Sequence, residues 1–146
     1  MRLIRHTGIY VDNLDKMKDF YCRYFGMEVV VHDVEGGKYS ELILGIPSIR
    51  IELYKLKRSD GTMIELLKPI YSQVQKQDAH SDSVVNSGCV HIAFTVESLD
   101  EMYNNMISEG IYFISQPVVS PNGDVYVCFC RDPEGNYLEL VQELKV

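Results

Sequence analysis

The sequence holds no tryptophan, no C-x-x-C pair among its four cysteines and no excess of basic residues. Nor does any apolar run approach the length needed to span a bilayer, which argues against a membrane partner. Lys and Arg number 14 against 21 Asp and Glu, for a formal net charge of −7. Binding to a duplex or other phosphate backbone rests on surplus Lys and Arg, so nucleic acid is not an expected partner. The opening residues, MRLIRHTGIYVDN, alternate apolar and polar and meet charge early. They predict no secretory signal, which needs a continuous apolar stretch. Cys22, Cys89, Cys128 and Cys130 read as reduced, half-buried thiols of a cytoplasmic protein, with Cys128 and Cys130 on one strand face.

What is present is ordinary globular composition, with 46% apolar and 24% charged residues over 146 positions. A chain of that length folds by default as one domain and buries a core without disulfides or a structural metal. An internal repeat organises it. HTGIYVDNLDKM at 6–17 aligns with HIAFTVESLDEM at 91–102 at an offset of 85, so that His6 meets His91, Leu14 meets Leu99 and Met17 meets Met102. GTMIELL at 61–67 aligns with GNYLELV at 135–141 at an offset of 74, and Glu65 meets Glu139. Each half therefore opens on a strand bearing His and closes on a strand bearing Glu.

The periodicities agree. Ile9 and Val11, like Ile92, Phe94 and Val96, share one strand face, and each His shares the other with a small residue, Gly8 or Ala93. Helical patterns come next, with Leu14, Met17, Phe20, Tyr21 and Tyr24 in the first half and Leu99, Met102, Tyr103, Met106 and Ile107 in the second. Ser98 and Glu101 form a capping-box pattern, while Gly26 and Gly110 supply stops. Strands are expected at 27–34, 49–56 and 62–67, and again at 112–114, 125–130 and 137–141, with 38–45 open between strand and irregular connection. The polar stretch about 71–88 reads as a linker between module 1, about 1–70, and module 2, about 89–146. A strand–helix–strands unit used twice predicts an α+β fold with helices on one side of curved sheet.

Two imidazoles and two carboxylates make a mixed N/O donor set suited to one divalent ion such as Zn, Ni, Co, Fe or Mn. If the halves pack about a pseudo-twofold axis, His6, Glu65, His91 and Glu139 come to it from four strands. A six-coordinate ion so held keeps two positions, enough for the adjacent oxygens of a small-molecule carbonyl substrate, whose neighbouring C–H it would acidify. His32 and His80 fall outside the repeat and read as ordinary hydrogen-bonded residues.

These residues resemble the vicinal oxygen chelate superfamily, which includes glyoxalase I, bleomycin-resistance proteins and extradiol dioxygenases. The likeness is carried by RHTGIYVDNLDKMKDFYCRYFGMEVV at 5–30, GTMIELLKP at 61–69, VHIAFTVESLDEMYNNMISEG at 90–110 and RDPEGNYLELVQ at 131–142. It implies one vicinal oxygen chelate domain over 1–146, two tandem βαβββ modules forming a cup-shaped mixed sheet with helices outside, and a homodimer. It also implies His6, Glu65, His91 and Glu139 as metal ligands, with Glu139 or Glu65 the catalytic carboxylate that moves a proton next to a metal-bound carbonyl. The opening stretch and DPEGNYLELV are most similar to glyoxalase I, whereas ELLKP and the linker after it are more similar to methylmalonyl-CoA epimerase. Tyr10 stands where glyoxalase I typically has Arg, and the asparagine–tryptophan motif is absent. The epimerase's further base maps to Glu52 or Glu41. The alternatives are an extradiol-type dioxygenase, which needs only two His and one carboxylate on iron, and a non-catalytic small-molecule binder of the bleomycin-resistance kind.

Overall fold

The computed structural model describes residues 4–70, 88 and 91–145, and the chain divides into two compact units, Met1–Gln77 and Asp78–Val146. The expected linker lies outside the described residues except for Gly88, as do His80 and Cys89. The first unit runs β1 (Thr7–Tyr10), α1 (Leu14–Phe25), β2 (Glu28–Gly36), α2 (Gly37–Leu44), β3 (Arg50–Lys57) and β4 (Met63–Pro69). The second runs β5 (His91–Thr95), α3 (Leu99–Ser108), β6 (Val118–Val119), β7 (Val125–Arg131) and β8 (Tyr137–Glu143). Their sheets have the orders β1-β4-β3-β2 and β5-β8-β7-β6. In each, the first strand is parallel to the last and the remaining pairs are antiparallel. Both units are thus βαβββ modules, and the α+β class with two tandem copies stands as expected. The first copy carries the additional helix α2 where the sequence left strand and irregular connection open.

One face of each sheet is closed by a helix. Leu14, Met17, Phe20, Tyr21 and Phe25 form the buried side of α1, which packs on β3 and β4. There Leu56, Ile64 and Leu66 are almost fully buried. The Tyr54 hydroxyl donates to Asp15 Oδ1 of the same helix at 2.9 Å. In the second unit Leu99 and Met106 of α3 are buried, as are Cys128, Cys130, Leu138 and Leu140 of β7 and β8. Ile107, expected on the buried side of α3, is exposed. Because strand side chains alternate, Lys55 and Glu65 in one module and Phe129 and Glu139 in the other are turned away from the helices.

The strand expected at 112–114 reduces to a bridge from Phe113 to Cys130, backed by Ile114 N–H to Phe129 O and Arg131 N–H to Tyr112 O. The ladder stops because Ser115 and Gln116 turn the chain and Pro117 has no N–H to continue it. The pairing resumes as β6, Val118 opposite Val127. The helix starts differ too. At α1 the Asn13 side chain accepts from Lys16 N–H at 3.0 Å. At α3 the Ser98 side chain caps nothing, and the N–H of Leu99 is taken instead by Gln142 Oε1 of β8 at 2.8 Å.

Caps of this kind contribute about 1 kcal/mol when the side chain makes the bond. Asn13→Ala is therefore expected to lower unfolding free energy in urea by about 1 kcal/mol. Ser98→Ala should stay within about 0.5 kcal/mol of the wild type.

Candidate metal centre

The two ladders keep both repeat offsets. Gly8 lies opposite Glu65 in the parallel pair β1–β4, and Ala93 lies opposite Glu139 in β5–β8. Each His stands two residues before that small residue, so it reaches diagonally across the ladder to the Glu on the same face. His6 Nε2 lies 3.1 Å from Glu65 Oε2, and His91 Nε2 lies 3.4 Å from Glu139 Oε2. Two donors about 2.1 Å from one ion would be about 3.0 Å apart at a right angle and about 3.4 Å at the tetrahedral angle. Either pair taken alone fits adjacent positions on an ion, and N/O donors suit the borderline divalent metals. Within either unit the described residues bring no third His, Cys, Asp or Glu to the pair, so each module by itself offers two ligands.

The flanking residues differ. Opposite Glu65 the antiparallel ladder sets Lys55, whose Nζ lies 3.4 Å from Glu65 Oε1. Opposite Glu139 it sets Phe129, whose ring meets His91 edge-on at 5.5 Å between centroids. Beside His91 stands Tyr137, with the Arg131 guanidinium over its ring at 4.5 Å. Lys55, Phe129, Tyr137 and Arg131 were not among the residues picked out in the sequence. Carrying the offset of 74 one strand back from Glu139 would have paired Phe129 with Lys55.

The other candidates lie elsewhere. Glu52 alternates with Lys55 onto the helix side of β3 and meets His32 Nε2 at 2.8 Å, while the His32 ring stacks on Tyr54. Glu41 on α2 accepts from Ser48 N–H at 2.9 Å. Neither is directed to the His6–Glu65 pair. Cys128 and Cys130 share one face, as expected, but are fully buried rather than half-buried.

Two copies of a βαβββ module, each bringing a His beside a Glu, define a duplicated α+β protein. The profile of the Glyoxalase/Bleomycin resistance protein/Dioxygenase superfamily matches residues 3–140, and the chain belongs to that superfamily. A probable lactoylglutathione lyase of Synechocystis sp. is 28% identical over 138 residues, covering 94% of this chain and 92% of that protein. The lactoylglutathione lyase of Schizosaccharomyces pombe is 26% identical over 144 residues, and there the match spans 47% of the relative's length. A crystal structure of a glyoxalase family protein from Bacillus cereus superposes with a TM-score of 0.87 at 25% identity, covering 99% of this chain and 97% of that one.

Burial lifts the Cys128 thiol from 9.0 to about 11. It lifts Cys130 to about 12, with Cys128 and Asp132 adding to the effect. Both are neutral thiols at ordinary pH, which sets them apart from thiolate ligands. Their charged forms are disfavoured only in the folded state, so the unfolded chain loses these protons first and stability falls as pH rises from about 9 towards 11 and 12. Cys130→Val should flatten that alkaline slope relative to wild type in urea unfolding between pH 8 and 10.5, with little change at pH 7.

Proposed function

We propose that the chain is a divalent-metal-dependent lyase or isomerase of the glyoxalase I or epimerase type, acting on a small molecule by moving a proton next to a chelated carbonyl. The observation that carries this reading is the His/Glu pair repeated at one ladder register in both modules. On this reading residues 1–146 work as one domain, and His6, Glu65, His91 and Glu139 are the ligands of a single Zn, Ni, Co, Fe or Mn ion. A bound ion of this kind supplies Lewis-acid polarisation of the carbonyl, which brings the adjacent proton within reach of an ordinary carboxylate. Glu139 or Glu65 takes that proton and delivers it to the neighbouring carbon. A cytoplasmic setting suits the free thiols of Cys22, Cys128 and Cys130. Val30 and Val34 of β2 and Tyr39, Leu42 and Ile43 of α2 are exposed, an apolar surface of the sort a homodimer buries.

Metal analysis of the purified protein tests the first part. One ion per chain is expected, lost in His6→Ala and His91→Ala with the circular dichroism spectrum retained. Protein that holds no ion, and whose melting is unmoved by added Zn, Ni or Co, overturns the reading. The second part is tested by solvent exchange. In deuterated buffer the metal-loaded enzyme should introduce deuterium beside the carbonyl of lactoylglutathione, the compound its relatives are named for, or of a 2-acyl thioester. Glu139→Gln should slow this on the order of 100-fold. Oxygen uptake with a catechol in place of exchange selects the dioxygenase, and binding with no turnover selects the non-catalytic binder.

A further inference from the structure

The two copies part chemically at the residue opposite each carboxylate. Register and the offset of 74 both equate Lys55 with Phe129. The Lys55 ammonium sits 3.4 Å from Glu65, on a side chain 31% exposed beside a carboxylate only 13% exposed. The same sheet face is apolar further along, with Ile51 and Leu53 buried and Leu67 packed against them. Partial desolvation of an ammonium in such a place costs stability, and the second copy shows that an apolar ring satisfies the scaffold equally well.

A divalent ion on His6 and Glu65 changes what Lys55 faces. The ion and the ammonium would draw on one carboxylate and repel each other. Lys55, a compact charge on a flexible four-carbon stem, is the partner that can move. Displaced from Glu65 Oε1, it remains anchored by its backbone opposite that residue, with a charge that an incoming anion can satisfy.

We propose that Lys55 makes the site selective for anionic ligands: small molecules that carry a carboxylate, or another fixed negative charge, on or directly beside the two chelating oxygens. The proposal rests on the metal-dependent reading above and names the substrate class that reading leaves open. Lys55 acts here by attracting the ligand's charge, and the proton transfer stays with the carboxylates.

The test uses the full-length protein loaded with Co(II), whose visible absorption reports both metal and ligand binding. Oxalate, with two charges, is compared with acetohydroxamate, which carries one when it chelates. In Lys55→Met, Co(II) should bind about three-fold or more tightly, because a competing cation has gone. Oxalate should bind about ten-fold more weakly, a loss of the size expected for one charged contact. Acetohydroxamate should change by less than about three-fold, and Lys55→Arg should retain oxalate binding. Should Lys55→Met be unstable, Lys55→Gln supplies the same comparison. A counter-ion role for Lys55 confined to Glu65 would move Co(II) affinity but leave the oxalate-to-hydroxamate ratio unchanged, and that result overturns the proposal while the metal reading stands. Failure of the wild type to take up Co(II) overturns both.

Discussion

The parallel ladder between first and last strand is the constraint on which each module depends. Parallel neighbours cannot be joined by a hairpin and need a long crossover, supplied here by α1, β2, α2 and β3 in one copy and by α3, β6 and β7 in the other. That ladder brings His6 beside Glu65 and His91 beside Glu139, although more than forty residues separate the members of each pair. Its register is held by the core. Leu66 and Leu140, each next in sequence to a carboxylate, are fully buried beneath a helix. A slip of one residue would put Glu65 under α1 and Leu66 on the open face. Apolar burial on one side of the sheet therefore fixes where the carboxylates point on the other.

This arrangement explains why so much was legible in the sequence. Two strands in fixed register must carry their residue types at fixed offsets, and the values of 85 and 74 reappear as Gly8 opposite Glu65 and Ala93 opposite Glu139. The same equivalence holds at the turns before the last strands. Gly61 donates to Arg58 O and Gly135 to Asp132 O, both glycines at φ near 90°, where a side chain would be strained. The offsets differ because the first copy is longer between its paired strands, and α2 with the connection to β3 occupies that extra length.

The features missed in the sequence depend on contacts that no local pattern encodes. The Ser98–Glu101 spacing is that of a capping box, yet Gln142 reaches the helix start from β8 and supplies an acceptor from 43 residues away. Lys55 lies in RIELYKLK, an alternation that reads as an ordinary half-exposed strand. Its meaning comes only from the ladder that sets it against Glu65. Pairing ELYKLK with YVCFCR offers no identity to flag the equivalence, because the two copies have diverged along that strand. The four-ligand set is a reading of the repeat, and the register of each module by itself brings one His beside one Glu.

The pattern of that divergence separates what the scaffold requires from what the open face is used for. On the helix-covered side the equivalent residues remain apolar or thiol: Leu56 and Cys130, Ile64 and Leu138, Leu66 and Leu140 are all buried. On the opposite side neighbouring positions have changed character, with Lys55 against Phe129 and Met63 against Tyr137. Packing thus does not dictate the identity of residues at those two positions. Amid those changes the His and the Glu are the same in both copies, although neither is needed to fill the core and a partly desolvated carboxylate is costly to keep. A residue pair retained where its surroundings were free to change is better explained by what it binds than by the fold it stands on. The differences around the pair, a cation beside Glu65 and aromatic rings beside His91, then give two equivalent carboxylates unequal environments, which a symmetric scaffold alone could not provide.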